Sequence, residues 1–145
     1  MSEQTILIKH NVEMGHRLSL QPGSKCYQLH GHSWWVEVEI TGEVTESGMI
    51  LDFALVKRIV RTYLDNHFDH HMCLNENDPL VKELPLEVQH NWGIVQIPMD
   101  PTVENMARHW GYWIEESFGN NYQYYVKVWE ASTNAATWRS DAKTE

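Results

Sequence analysis

Residues 30–41 run His30-Gly31-His32-Ser33-Trp34-Trp35-Val36-Glu37-Val38-Glu39-Ile40-Thr41. Side chains along a strand point alternately to two faces. One face here collects Trp34, Val36, Val38 and Ile40; the other collects Ser33, Trp35, Glu37, Glu39 and Thr41. That alternation predicts a half-buried strand over Ser33 to Thr41. Carrying the same parity backward puts His30 and His32 on the apolar face, where two imidazoles can converge on one point. Gly31 between them adds no side chain of its own.

Outward from this strand the pattern is simpler. Thr5 to His10 alternates weakly and predicts a first strand, and Gly42 to Gly48 is a polar loop. Asp52 offers an N-cap for a helix to about Asn66, with Phe53, Val56, Ile59, Val60, Tyr63 and Leu64 as its apolar stripe. The stretch from His67 to Pro101 is irregular, with prolines at 79, 85, 98 and 101 and a short strand near Gly93 to Ile97. Loops of that length are often functional. A second helix starts at about Thr102, with Pro101 beside the cap and Gly119 at its end; Val103, Met106, Ala107, Trp110, Trp113 and Ile114 face one way. Tyr122, Tyr124, Val126 and Val128 form the inward row of another strand, and Asn134 to Trp138 a last short one. The order ββααββ predicts an α+β fold, an antiparallel sheet with two helices on one face. At 145 residues, the whole of 1–145 is expected to form a single domain.

Composition narrows the partners. Eleven basic against twenty acidic residues give a net charge of −9. A nucleic-acid binder needs a basic face, so none is expected as a partner. The longest apolar run is Phe53 to Val56, too short for a bilayer span, so no membrane partner is expected either. The N-terminal residues lack a signal-like apolar stretch, and two cysteines, Cys26 and Cys73, make no disulfide framework. A cytoplasmic protein with free thiols is the expectation. Seven tryptophans supply large contact areas to a core or a subunit interface.

Nine histidines make their placement the next question. His16 lies in a different segment from His30 and His32, and three imidazoles with one vacant position is the layout of a catalytic zinc site. A bare H-x-H is common, and His16 also suits a surface. Glu130 continues the row of Tyr122, Tyr124, Val126 and Val128, and is either an edge residue reaching water or a carboxylate held for a ligand. Cys26 fits four roles: zinc ligand, nucleophile, general base or small buried hydrophobe. In Asp69-His70-His71 an Asp beside a His can fix its tautomer, and two histidines also suit a helix C-terminus. Asp100-Pro101-Thr102-Val103-Glu104-Asn105 is a helix start whose free N–H groups and Thr102 hydroxyl can also hold a polar ligand edge.

Taken together, Gly15-His16-Arg17-Leu18, Cys26-x-x-x-His30-Gly31-His32, Gly48-Met49-Ile50-Leu51-Asp52-Phe53, Asp69-His70, Leu74-Asn75, Pro101-Thr102-Val103-Glu104-Asn105 and Glu130 span most of the chain. In that order they resemble the 6-pyruvoyl-tetrahydropterin synthase family. The three-residue spacer between Cys26 and His30 resembles the bacterial branch that makes 6-carboxy-5,6,7,8-tetrahydropterin. The resemblance implies the tunnelling fold, a ββααββ unit that oligomerises into a barrel as a homo-oligomer, trimer or dimer of trimers. It implies Zn2+ on His16, His30 and His32, with Cys26 as proton acceptor and His70 with Asp69 as the partner acid–base pair. Glu130 and Thr102 would hold a pterin. Arg17 and Lys25, with Lys9, are candidate cations for a triphosphate.

The implied reaction converts 7,8-dihydroneopterin triphosphate to the carboxy-pterin, acetaldehyde and triphosphate, in 7-deazaguanine and queuosine synthesis. A pyruvoyl-forming triphosphate lyase, a zinc hydrolase and a non-catalytic pterin-binding oligomer are the alternatives. Three residues, His71, Met72 and Cys73, separate Asp69-His70 from Leu74-Asn75 where the family usually has two, which leaves His71 as a rival to His70. The stretch from Asn75 to Trp92 is longer than the family norm and is expected to be a surface insertion.

Overall fold

Trp34, Val36, Val38 and Ile40 are each at most 1% exposed, so the alternation that marks the strand also marks its buried face. The structure is a computed structural model and describes residues 2–140. Its strands are β1 (Glu3–His16), β2 (His30–Glu43), β3 (Met72–Asn75), β4 (Ile94–Ile97), β5 (Gln123–Ala131) and β6 (Asn134–Arg139). Its helices are α1 (Phe53–His67), α2 (Pro79–Glu83), α3 (Leu86–Asn91) and α4 (Val103–Phe118). The strands form one sheet in the order β4-β3-β1-β2-β5-β6.

The centre of the sheet is the long antiparallel pair β1–β2, in register from Glu3 opposite Glu43 to His16 opposite His30. β1 is longer than its weak Thr5–His10 alternation predicts. Val12, Met14 and His16 continue the buried face, and β2 supplies ladder partners all the way. β5 flanks β2 and β6 flanks β5, both antiparallel. The sheet is mixed, however: β3 runs parallel to β1 and to β4. The return of the chain through α1 brings β3 in from the far end, which an antiparallel reading of the pattern did not anticipate.

Two helices cover the buried face. Asp52 caps α1 by accepting from the Ala54 N–H, and Val56, Val60 and Leu64 point at the sheet. Phe53 departs from the expected stripe and is 47% exposed. In α4, Met106, Ala107, Trp110 and Ile114 are buried, and Trp110 meets Trp34 edge to face at 6.2 Å. Tyr63 of α1 stacks on Trp113 of α4 at 3.7 Å, joining the helices. Full burial of one large apolar side chain contributes about 1.5–3 kcal/mol, so this row is the main source of stability.

The stretch His67 to Pro101 is more ordered than a loop. It holds β3, α2, α3 and β4. Leu86 and Trp92 are 81% and 72% exposed, as a surface insertion implies, yet Asp78 and Gln89 are buried. The insertion therefore docks on the body through polar groups. Among the described residues no helix is long and apolar enough to cross a membrane.

Gly111 is a packing requirement. A Cβ there would lie 2.3 Å from Cε3 of Trp138 on β6. Gly111→Ala is expected to lower stability by about 1–3 kcal/mol through overpacking, although alanine favours helix by about 1 kcal/mol. Urea unfolding of the variant measures it; a stability gain would mean that Trp138 moves aside freely.

Candidate metal centre and active site

The β1–β2 register builds the site. His16 ends β1 opposite His30, and His32 lies one inward position further along β2, opposite Met14. All three therefore project from the helix-covered face at one end of the sheet. Their ring centroids lie 4.6, 5.1 and 5.0 Å apart, and Trp34 forms the floor, edge-on to His16 and His32. One nitrogen from each ring lies within 4.8 Å of the other two, so modest ring rotation lets one ion take all three.

The outer hydrogen bonds settle which nitrogen is offered. His16 Nδ1 donates to the Pro101 carbonyl at 2.7 Å, and His30 Nδ1 donates to the Gln28 carbonyl at 2.6 Å. A carbonyl only accepts, so each neutral ring carries its proton on Nδ1 and presents a bare Nε2. His16 Nε2 and His32 Nε2 are buried with no hydrogen-bond partner. An orphaned buried polar atom costs about 1–3 kcal/mol, and a metal ion removes that cost. The donor set thus fits a metal.

Glu130, at the end of β5, completes the cluster. Its oxygens stand 3.8 Å from His16 Nε2 and 3.9 Å from His32 Nε2, too far for hydrogen bonds. Asn134 Nδ2 donates to Oε1 at 3.3 Å. The carboxylate is neither fully buried nor a free edge residue. It keeps acceptor capacity beside the imidazoles.

Two clefts meet at His32. One, of about 510 Å³, is lined by Glu130, Ser132, Trp35, Trp129 and Lys9 among others. Trp35 and Trp129 are cross-strand partners there, and the Trp129 indole N–H donates to the Glu37 carboxylate. The other, of about 570 Å³, is lined by Gly15, Ser33, His70, His71 and Trp92.

Asp69 and His70 are brought together, although adjacent side chains often diverge. His70 adopts φ 60, which turns its ring back so that Nδ1 reaches Asp69 Oδ2 at 2.8 Å. Burial alone would raise the Asp69 carboxyl; the Glu13 N–H on Oδ1 and the His70 ring outweigh it and hold the group below the usual carboxylate range. His71 Nδ1 instead donates to the Asp69 backbone carbonyl. The carboxylate thus serves His70 and not His71.

The remaining candidates are placed less centrally. Cys26 lies in a short 3-10 turn, Lys25–Tyr27, and is half-buried, so it is no core hydrophobe. Among the described residues the group able to share one ion is His16, His30 and His32, and the Cys26 thiol is outside it. Cys73 is buried, which pushes its thiol up to about 12 and leaves it inert. Thr102 caps α4 by accepting from the Asn105 N–H at 3.1 Å, while its own hydroxyl proton can still be donated. Lys25 is exposed.

Arg17 is committed elsewhere. Its Nε and Nη2 reach the two oxygens of Asp78 at 2.7 and 2.5 Å, with Asp78 fully buried. Burial opposes the charge on Asp78, but this pairing holds its carboxyl below the usual range and raises the Arg17 guanidinium. Asp78 is a structural site residue that sequence reasoning missed, and Asp100, read there only as part of a helix start, also holds the loop after β1. Asp100 accepts from Ser19 Oγ, the Leu20 N–H and Asn75 Nδ2. The Asp78-Pro79 pair was a visible helix-start signal, but its arginine partner lies 61 positions away.

Burial pushes the His16 imidazole down to about 4, so it stays neutral and metal-competent near neutral pH. An unfolded imidazole takes its proton near 6.5, so between those values the unfolded chain binds more protons. Chelator-treated protein is therefore expected to lose about 3 kcal/mol of stability as pH falls from 6.5 through 4. Above 6.5 this contribution is constant. Denaturant titrations across pH measure it, and His16→Gln is expected to flatten the slope; an equal slope in that variant would assign it to other groups.

Comparison with known proteins agrees with this geometry. The family model described as 6-pyruvoyl tetrahydropterin synthase matches residues 5–141. A 6-carboxy-5,6,7,8-tetrahydropterin synthase of Rickettsia conorii is 34% identical over 100 residues, covering 67% of this chain and 70% of its own. A putative one of Pyrococcus horikoshii is 34% identical over 130 residues, covering 81% and 78%. Among solved structures, an uncharacterized protein of Wolinella succinogenes superposes with a TM-score of 0.80 at 19% identity over 97% of this chain and 99% of that one. The 6-pyruvoyl tetrahydropterin synthase of Plasmodium falciparum superposes with a TM-score of 0.75 at 16% identity over 97% and 99%. The fold is the anticipated α+β tunnelling fold, and the chain belongs to the 6-pyruvoyl tetrahydropterin synthase family.

Proposed function

We propose that this chain, as a single pterin-synthase-like domain, is a zinc-dependent carbon–carbon lyase. It converts 7,8-dihydroneopterin triphosphate to 6-carboxy-5,6,7,8-tetrahydropterin, acetaldehyde and triphosphate, serving 7-deazaguanine and queuosine synthesis in the cytoplasm. The observation that carries this reading is the pair of buried, unpartnered Nε2 atoms on His16 and His32 with Glu130 beside them. Relatives of this chain bear the carboxy-pterin name.

Held by His16, His30 and His32, zinc would supply Lewis-acid stabilisation of negative charge developing on the substrate's side-chain oxygens. Glu130 accepts hydrogen bonds from the N–H edge of the pterin, a charge-assisted pairing. Thr102 donates its hydroxyl to the ring. Cys26 takes a proton from the side-chain carbon. His70 gives or relays one through Nε2, since Asp69 holds Nδ1. Lys25 and Lys9 are the cations left for the triphosphate, because Asp78 occupies the Arg17 fork. The protein works as a homo-oligomer, trimer or dimer of trimers, in which Cys26 of one copy can meet Asp69–His70 of another.

Incubation of zinc-loaded protein with the triphosphate substrate is expected to release acetaldehyde. Cys26→Ala should retain zinc and lose about a hundredfold to ten-thousandfold in turnover. A Cys26→Ala variant with full turnover would point to a hydrolase, and a pyruvoyl product without acetaldehyde would move the chain to the other branch.

A further inference from the structure

The loop over residues 17–29 starts directly after His16 and ends directly before His30, and those two are cross-strand partners. The candidate ligands thus form the base of the loop, and Cys26 sits on its returning limb. What holds that limb can be read contact by contact. The Leu18 N–H donates to the Cys26 carbonyl at 2.8 Å. The Arg17 guanidinium lies over the ring of Tyr27, the residue after Cys26, at 4.5 Å. On the outgoing limb, Asp100 takes Ser19 Oγ and the Leu20 N–H.

Arg17 is the hinge of this arrangement. Its fork is spent on Asp78 and one face is spent on Tyr27. Asp78 is also the N-cap of α2, where it accepts from the Leu80 N–H. Its carboxylate therefore ties the inserted helix to the limb that carries the thiol. A planar bidentate guanidinium fixes both distance and orientation, which an ammonium does not.

We infer that the Arg17–Asp78 pair, through the stack on Tyr27, is a positioning clamp that sets where the Cys26 thiol stands relative to the three imidazoles. Arg17 is then a positioning residue and not a phosphate ligand. This inference rests on the proposed role of Cys26, but its test does not require turnover. A displacement of about 1 Å from productive geometry can cost about a hundredfold in rate.

The test uses zinc-loaded full-length protein and the variants Asp78→Asn, Arg17→Lys and Tyr27→Leu. Three quantities are measured: bound zinc, the rate of Cys26 alkylation by iodoacetamide followed by mass spectrometry, and kcat and KM separately. Buried Cys73 serves as the internal control for folding. The expected result is retained zinc, unmodified Cys73, Cys26 alkylation changed several-fold in all three variants, and kcat lowered with KM nearly constant. With Arg17→Gln measured alone as well, the Arg17→Gln/Asp78→Asn double variant should be no worse than Arg17→Gln or Asp78→Asn by itself. Should Asp78→Asn fail to fold, Tyr27→Leu cuts the stack alone and decides the matter. Unchanged alkylation in Tyr27→Leu, or an Arg17→Lys effect confined to KM, overturns the clamp. Absence of acetaldehyde from the unmodified protein would sink the lyase reading while leaving the alkylation result to judge the clamp.

Discussion

The register of β1 against β2 is the constraint on which the rest depends. It sets His16 opposite His30 and Met14 opposite His32. A slip of one residue would turn every side chain of one strand to the other face. The same slip would lift Val12 and Met14 out of the core and His16 out of the cluster. Core and candidate site are therefore one specification. Trp34 makes this concrete, because it packs on Trp110 below and on two imidazoles above, and its indole N–H donates to the Met14 carbonyl.

That economy has a cost in the metal-free protein. The inward face buries imidazole nitrogens that the protein itself does not satisfy. The carbonyls of Pro101 and Gln28 hold His16 and His30 by their outer nitrogens, which limits those two rings to modest rotation. Rigidity of this kind exchanges apo stability for a donor set already oriented toward a ligand.

The insertion between β3 and β4 enters the same economy by another route. It exposes Leu86 and Trp92, yet Asp78 reaches the residue after His16 and Trp92 walls the cleft that holds His70. Asn75, at the end of β3, reaches Asp100, which holds the loop after β1. Segments far apart in the chain thus converge on the outgoing limb of one loop.

The sequence by itself determined the elements whose signal is local. Period-two burial in β2 and β5, the Asp52 and Thr102 caps, the stop at Gly119 and the shared face of His30 and His32 depend on neighbours within one turn or pleat. Tertiary structure decided what depends on distant partners. The continuation of β1 to His16 needed β2 as its ladder partner. The parallel seating of β3 needed the path through α1. The Asp69–His70 contact needed a positive φ that no pattern announces, and the pairing of Arg17 with Asp78 needed a helix from another part of the chain. Hydrophobic period and capping are written in adjacent residues, whereas a buried charge is chosen by whatever the fold brings beside it.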